Sequence, residues 1–177
     1  MTEKDGEGLL QVFTGNGKGK TTAALGTILR ALGHDRRVFI VFFMKGDYPY
    51  GEFSTLSKLP NVDLASFGFR RFIDPENIKP EEIEQAKLAL AAARKAMLSG
   101  NYDLVILDEV NVALFYKLIK VEEVIELIAD KPSNVELILT GRYADARIIE
   151  MADLVTEMVK VKHPFDKGIR ARKGIEY

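Results

Sequence analysis

The chain has no cysteine among its 177 residues. Disulfides, thiolate nucleophiles and thiolate metal ligands are therefore excluded, and the composition fits a reducing compartment. Histidine is scarce as well, since only His34 and His163 are present. Two separated histidines make no metal cluster, and composition alone predicts a structural role for each. A reaction must therefore proceed without a protein nucleophile of these kinds, or with one supplied by a bound cofactor.

Long apolar runs are also absent, because no run reaches the roughly 18 residues of a membrane span. Residues 1–8 are polar and acidic, unlike a signal peptide. We therefore expect a cytoplasmic protein with no membrane partner. The net charge of -1 and the pI near 6.2 argue against general affinity for nucleic acids. The length and the 47% hydrophobic content predict one domain over residues 1–177.

The stretch from residue 14 to residue 22 predicts a phosphate-binding loop. It lies between a short apolar run and an amphipathic, helix-like run. Alternate glycines let backbone N–H groups turn inward around polyphosphate oxygens, and the following helix directs the positive end of its dipole at the same anion. The predicted ATP-binding residues are Thr14, Gly15, Asn16, Gly17, Lys18, Gly19, Lys20, Thr21 and Thr22.

Two side chains of this loop carry the predicted chemistry. Lys20 supplies a positive charge to the phosphates, and Thr21 offers its hydroxyl to a magnesium ion. The stretch departs from the general pattern GxxxxGK[ST] at Thr14, where the pattern has glycine. An ordinary glycine-rich turn is the alternative, although the Gly-Lys-Thr ending and the strand–loop–helix setting occur together.

Apolar β-forming runs alternate with helix-like patterns along the chain, which predicts an α/β fold with a mainly parallel sheet covered on both faces. We expect a three-layer sandwich around a six-stranded sheet, of the P-loop NTPase (RecA-like) type. The predicted strands are residues 9–13, 38–43, 62–67, 103–108, 135–140 and 154–161, the third of them near a sheet edge. The predicted helices are residues 20–32, 51–59, 80–99, 121–128 and 144–151.

The fourth predicted strand ends in two acids, Asp108 and Glu109. In a phosphate-loop protein such a strand lies near the loop strand, so an acid at its carboxyl end can reach the metal directly or through water. Both acids are therefore candidate metal ligands. The alternative is that Asp108 caps the helix that follows and Glu109 favours its dipole.

Other segments fall on the same predicted rim. Arg142 follows the fifth strand, where its guanidinium could hold a phosphate with two hydrogen bonds or could simply be solvated. The turn-rich residues 45–51 follow the second strand and predict a site loop. Residues 68–78 carry two aromatics and two arginines, and the alternative there is a surface loop packed on the body of the protein. The basic tail, residues 162–177, is either a solvated end or a lid over an anionic ligand.

Together these motifs resemble the ATP:corrinoid adenosyltransferases of the phosphate-loop type, which act in cobalamin synthesis and salvage. The resemblance runs from about Leu9 to Tyr177 in the same order. It rests on residues 12–24, on Leu-Asp-Glu at 107–109, on Thr-Gly-Arg at 140–142, and on the runs 161–169 and 174–177.

The resemblance implies that the cobalt(I) of a corrinoid attacks the 5′ carbon of ATP and expels the whole triphosphate. Cobalt is then the nucleophile, which suits a chain without cysteine. The family binds the nucleotide reversed in the loop, so that the ribose is aimed at the reaction. Lys20, Thr21, Glu109 and Arg142 become the candidate catalytic residues, and Thr21, Glu109 and Asp108 the candidate ligands of Mg²⁺ or Mn²⁺.

The family also uses an aromatic loop to displace the lower axial ligand of cobalt. Its Gly-Phe-Thr-Trp pattern appears here as Gly-Phe-Arg-Arg at residues 68–71, followed by Phe72, and the chain has no tryptophan. Phe69 carries over, and the tryptophan role is lost unless Phe72 takes it. The predicted corrinoid-facing residues are Phe69, Phe72 and His163.

The resemblance further implies a corrinoid substrate, ATP as co-substrate, a flavoprotein reductant and a homodimer. Two other classes of protein share the loop. A small-molecule kinase or ATPase would also use an acid at the end of the fourth strand, and it would release ADP. A non-catalytic ATP-dependent switch would bind ATP and a protein partner without turnover. The chain has no Asn-Lys-x-Asp run of the kind that reads guanine, which argues against a GTPase.

Overall fold

The computed structural model describes residues 6–46 and 50–177. Strands and helices alternate along this part of the chain, as predicted. The strands are β1 (Leu10–Thr14), β2 (Val38–Phe42), β3 (Val62–Ser66), β4 (Leu104–Asp108), β5 (Glu136–Thr140) and β6 (Leu154–Glu157). The helices are α1 (Lys20–Leu32), α2 (Gly51–Leu56), α3 (Pro80–Leu98), α4 (Val110–Phe115), α5 (Val121–Ala129) and α6 (Ala146–Met151), followed by a 3-10 turn, Pro164–Lys167.

The strands form one parallel sheet in the order β3-β2-β4-β5-β1-β6. The predicted six-stranded α/β sheet is confirmed, and β3 lies at an edge as expected. The acid-bearing β4 is separated from the loop strand β1 by one strand, β5. The carboxyl ends of parallel strands lie at one edge of the sheet. Thr14, Asp108 and Thr140, which are the last residues of β1, β4 and β5, therefore lie at the same edge.

Two apolar cores, one on each face of the sheet, make the three layers. The first packs the sheet against α3, α4, α5 and α6 through buried side chains such as Met97, Val110, Leu127 and Ile148. The second packs it against α1 and α2 through Ile28 and Leu56. The central strands are buried on both sides, which explains why their sequences are continuous apolar runs rather than alternating ones.

Two elements are shorter than predicted. The last strand ends at Glu157 because the chain then turns to the phosphate-binding loop: the Met158 carbonyl accepts a hydrogen bond from Gly17 N–H at 2.6 Å. Val159 and Val161 lie beyond that point and are exposed. Helix α2 ends at Leu56, where the backbone tightens into a turn in which Leu59 N–H donates to the Leu56 carbonyl.

Part of one predicted segment cannot be compared with the structure. Asp47, Tyr48 and Pro49 of the predicted site loop lie outside the described residues, as do residues 1–5. Within the described ranges, none of the helices combines the length and the apolar character needed to cross a bilayer.

Candidate active site

The phosphate-binding loop joins β1 to α1 and packs closely on the segment after β6. A Cβ atom on Gly15 would come within 2.5 Å of the Met158 carbonyl oxygen, and one on Gly17 within 2.7 Å. Gly15 also has a φ of 95°, in the left-handed region. Glycine is therefore required at both positions, because a side chain would push the loop away from the sheet.

Thr14, where the general pattern has glycine, belongs to the sheet rather than to the turn. It is the last residue of β1, and its side chain is buried. Its Oγ1 accepts a hydrogen bond from Ala144 N–H at 3.4 Å, and its carbonyl accepts one from Met158 N–H at 2.9 Å. The backbone bend that needs glycine begins one residue later, at Gly15.

Lys20 lies inside the loop. Its Nζ donates to the carbonyl oxygens of Gly15 at 2.8 Å and Gly17 at 2.7 Å, and only 7% of the residue is exposed. Burial lowers the pKa of Lys20, while the negative charge of Glu109 opposes that shift. The loop thus carries a buried ammonium group at its centre, surrounded by backbone groups.

Asp108, at the end of β4, is fully buried. Its Oδ1 accepts a hydrogen bond from Thr140 Oγ1 at 2.7 Å, and its Oδ2 lies 2.8 Å from Lys45 Nζ. Both carboxylate oxygens therefore have a protein partner.

Glu109 differs from its neighbour because its carboxylate has no hydrogen bond or ion pair in the described part of the chain. Its backbone adopts the left-handed region, with φ of 65°, and its N–H donates to Thr140 Oγ1 at 2.9 Å. Burial raises the pKa of Glu109, and the nearby Asp108 charge raises it further. A carboxylate in this state gains from binding a cation.

The oxygen donors beside the loop suit a magnesium ion that is shared with phosphates. Thr21 and Glu109 border the same cavity, and Mg²⁺ is commonly bound by one or two protein oxygens together with substrate phosphates and water. Among the residues that the structure describes, no group of three or more His, Asp or Glu side chains could hold a metal alone. A metal ion here would therefore depend on a nucleotide for further ligands.

A cavity of about 570 Å³ lies over the loop. It is bordered by residues 17–22, by Glu109 and Arg142, by Phe72, and by tail residues between 163 and 176. Arg142 is exposed, and its guanidinium has no hydrogen bond or ion pair within residues 6–46 and 50–177. The fold thus brings the four predicted catalytic residues, Lys20, Thr21, Glu109 and Arg142, to the wall of one cavity.

The C-terminal tail forms another wall of this cavity and contacts the loop through an ion pair. Glu176 Oε1 lies 3.6 Å from Lys18 Nζ. Arg172 binds the same carboxylate three times, through its backbone N–H at 2.7 Å, its Nε at 3.1 Å and its Nη2 at 3.0 Å. Hydrogen bonds from Arg172 lower the pKa of Glu176 to about 2.

Further cavities lie around the described residues. One of about 420 Å³ adjoins the first and shares Thr21, Glu109 and Glu176 with it, while Lys45 and Tyr177 line its other side. Another, of about 540 Å³, is bordered by Asn16, Arg142 and His163. A cavity of about 720 Å³ is larger but borders none of the loop residues, and it lies by the amino ends of the strands. The four predicted catalytic residues therefore border the smaller cavities at the carboxyl ends of the strands.

The two phenylalanines predicted to face a corrinoid have different surroundings. Phe72 is 97% exposed and borders the cavity over the loop. Phe69 is half-buried, with the Arg71 guanidinium 4.5 Å from its ring centre, and is not among the residues around that cavity. His163 does border it, and its Nδ1 accepts a hydrogen bond from Phe165 N–H at 3.1 Å.

Sequence reasoning missed two groups of this site. In the sequence Lys45 is only part of a turn-rich segment, and Thr140 is the end of a strand and part of the Thr-Gly-Arg motif, with no role of its own. Each follows an apolar run close to the carboxyl end of its strand, where polar side chains of α/β folds meet a ligand. That position was the available signal, but the contacts of both with Asp108 depend on the order of the strands.

Comparison with known proteins agrees with this site. The family profile described as "ATP:corrinoid adenosyltransferase BtuR/CobO/CobP" matches residues 6–177. The corrinoid adenosyltransferase of Escherichia coli K12 is 37% identical over 174 residues, which cover 98% of this chain and 88% of the relative. The corrinoid adenosyltransferase CobA of Salmonella typhimurium LT2 is 40% identical over 172 residues, covering 96% and 86%. That of Pseudomonas aeruginosa is 36% identical over 174 residues, covering 98% and 86%.

The match covers both the phosphate-binding loop and the tail that borders the same cavity, as well as the strands between them. The chain therefore belongs to the ATP:corrinoid adenosyltransferase family.

Proposed function

We propose that this chain transfers the 5′-deoxyadenosyl group of ATP to the cobalt(I) of a corrinoid and releases triphosphate. The cobalt donates an electron pair to the 5′ carbon, a cobalt–carbon bond forms, and the carbon–oxygen bond breaks with its electron pair on the triphosphate. The observation that carries the proposal is the single cavity bordered by Lys20, Thr21, Glu109 and Arg142 in a member of this family.

The loop stabilises the leaving group in this reaction. Negative charge grows on the triphosphate as the carbon–oxygen bond breaks, and fixed positive groups lower the energy of that state. Lys20 and the backbone N–H groups at the amino end of α1 supply this charge at the loop, and Lys18 supplies more at its surface. Arg142 binds the triphosphate from the facing side, since no side chain in the described part of the structure occupies its guanidinium and bidentate contacts are open to it.

The metal of the reaction is Mg²⁺, or Mn²⁺ in its place, bound by Thr21 and Glu109 together with the triphosphate. When bound, it neutralises part of the charge on the leaving group. Asp108 does not contact the metal directly, because its two carboxylate oxygens already bind Thr140 and Lys45. Its role is to hold these two side chains in place beside the site.

Residues 1–177 act as one domain, and the tail covers the site when the substrates are bound. Phe72 and His163 face the corrinoid, which is supported by their place beside the cavity. Phe69 lies in the same segment as Phe72, and its half-buried ring supports that segment. A flavoprotein supplies the electron that generates cobalt(I), and two copies of the chain form a homodimer.

An anaerobic assay tests the reaction. The protein is mixed with ATP, Mg²⁺ and a chemically reduced corrinoid, while the visible spectrum and the phosphate products are followed together. We expect a light-sensitive alkylcobalt spectrum and inorganic triphosphate in equal amounts. Lys20→Ala should lower kcat/KM about 100- to 1,000-fold, the usual cost of losing a group that stabilises a charged transition state. Lys58→Met, which replaces an exposed lysine in the turn after α2, is the control and should change nothing.

Other outcomes would reject the proposal. ADP and phosphate without alkylcobalt would identify a kinase or ATPase that shares the loop. Binding of ATP with no product of either kind would instead indicate an ATP-dependent switch.

A further inference from the structure

We propose that Lys45 is a positioning residue of this site, which holds Glu109 towards the nucleotide and its metal by acting through Asp108 and Thr140. The inference rests on the proposed role of Glu109 as a metal ligand. It concerns a residue outside the phosphate-binding loop, on the segment that follows β2.

Lys45 is fixed in place before it reaches the acids. Its backbone N–H donates to the Phe67 carbonyl at 3.0 Å, which ties the segment after β2 to the end of β3. Its ammonium group lies 4.9 Å from the centre of the Phe42 ring and 4.8 Å from that of Tyr50. Only 11% of the side chain is exposed, so the lysine has few alternative positions.

From Lys45 an uninterrupted series of contacts leads to Glu109. Lys45 Nζ lies 2.8 Å from Asp108 Oδ2. Asp108 Oδ1 accepts the Thr140 hydroxyl at 2.7 Å, and the oxygen of that hydroxyl accepts Glu109 N–H at 2.9 Å. The Thr140 hydroxyl thus accepts from Glu109 N–H while it donates its own proton to Asp108, whose carboxylate the lysine holds in place.

The backbone of Glu109 needs such support. Its φ of 65° is unfavourable for a residue with a side chain. The N–H bond to Thr140 helps to hold this conformation at the start of α4, and the conformation sets the direction in which the carboxylate leaves the strand end. Groups behind a metal ligand that orient it in this manner typically change metal affinity 10- to 100-fold when they are removed.

A direct role for Lys45 is the competing explanation, because the lysine also borders the second cavity beside Thr21 and Glu109. A double-mutant cycle of Lys45 and Asp108 distinguishes an indirect role through Asp108 from direct contact with the substrate. If Lys45 acts through Asp108, replacing both by neutral residues of similar size removes the uncompensated charge, and the effects are strongly non-additive. If Lys45 contacts the substrate itself, the double variant loses that contact and is no better than the single one.

The experiment compares Lys45→Met, Asp108→Asn and the double variant with the unaltered chain, and Lys58→Met is the control. Mn²⁺ is titrated into each full-length protein with ATP present and no corrinoid, and free Mn²⁺ is measured by electron paramagnetic resonance. We expect K45M to raise the dissociation constant of Mn²⁺ about 10-fold or more. The double variant should return to within about threefold of the unaltered chain, because the two changes are coupled.

Two results would overturn the inference: unchanged Mn²⁺ affinity in K45M, or a double variant as weak as K45M. Lys45 Nζ also lies 3.5 Å from Glu52 Oε1, and both K45M and the double variant lose this contact. If K45M does not fold, D108N and the double variant are compared instead: equal Mn²⁺ affinity in the two means that Lys45 acts through Asp108, and a weaker double variant overturns the inference. The titration involves no turnover, so it can fail while alkylcobalt formation succeeds. Absence of alkylcobalt from the unaltered chain would instead reject the proposed function.

Discussion

The strand ends and the segments that lie over them are held by different forces. The strand-end groups, which we define as Lys20, Lys45, Asp108, Glu109 and Thr140, are buried or half-buried. Short contacts hold Lys20 to the phosphate-binding loop and join the other four to one another. The covering segments, residues 68–73 and 162–177, are mostly exposed. The tail is held by the Lys18–Glu176 and Lys160–Asp166 ion pairs and by a local Arg172–Glu176 contact.

This difference suits two tasks. Groups that stabilise charge on a leaving group must already be in place when the bond breaks, and buried contacts provide such order. Segments that admit a substrate as large as a corrinoid must move aside, and exposed ion pairs, each contributing little in water, allow that motion. Buried charged groups and segments held by weaker, more exposed contacts therefore lie side by side at one edge of the sheet.

Removing one carboxylate at the strand ends and one in the tail should give the largest difference in the free energy of unfolding. Asp108→Ala leaves Lys45 without its closest partner and Thr140 without its acceptor, so we expect the free energy of unfolding to fall by about 3 kcal/mol. Asp166→Ala removes an exposed contact with Lys160 and should lower it by less than about 1 kcal/mol. Urea denaturation measures both. Equal losses in the two variants would contradict the contrast.

The two phenylalanines of the first covering segment should separate binding from stability. Phe72→Ala removes a ring that is 97% exposed, so the fold should be unaffected while KM for the corrinoid rises about 10-fold, as for loss of an aromatic contact. Phe69→Ala should instead lower stability by about 1 kcal/mol, because the half-buried ring stacks with Arg71. Steady-state kinetics and thermal unfolding distinguish them. If KM for the corrinoid is unchanged in both variants, this segment does not face the corrinoid.

The pH dependence of the tail should give the smallest effect. Arg172 lowers the pKa of Glu176 from 4.5 to about 2, so its contribution is present above pH 4.5 and is lost as pH falls towards 2. The contribution of Glu109 to folding stability changes with pH in the opposite direction. Burial raises the pKa of Glu109, so its contribution is present below pH 4.5 and is lost as the pH rises above that value.

Hydrogen exchange of the tail amides tests this. After correction for intrinsic rates, protection in the unaltered chain should decrease a few-fold as pH falls below 4.5, since exposed ion pairs contribute little each. Glu176→Gln should lack that protection at every pH. Identical exchange in the two proteins would mean that Glu176 does not hold the tail.

Much of the fold could be predicted because its signals are local. Runs such as residues 38–43 and 135–140 are apolar and β-branched, and the glycines of residues 14–22 mark the turn between strand and helix. Boundaries were less certain where a distant contact decides them. The last strand was predicted to continue to Val161, but it ends at Glu157 because the phosphate-binding loop takes over its hydrogen bonds.

The sequence could predict which residues approach one edge of the sheet in part, but not Lys45 or Thr140, and not the contacts between these residues. Lys20, Thr21, Glu109 and Arg142 follow strand ends in the sequence, so their approach to one edge follows from a parallel sheet. The different surroundings of Asp108 and Glu109 do not follow, because adjacent acids look equivalent in a sequence. Nor does the separation of Phe72 from Phe69, which depends on how residues 68–73 cross the surface.

Glycine spacing, apolar periodicity and short motifs are properties of neighbouring residues, so the amino-acid sequence was enough to predict the phosphate-binding loop, the α/β class and the family. The pairing of Lys45 with Asp108 and of Glu176 with Lys18 became visible only in the folded structure, as did the lack of a hydrogen bond or ion pair for the Glu109 carboxylate among the described residues. The two pairs join residues far apart in the chain, which strand order and the path of the tail bring together.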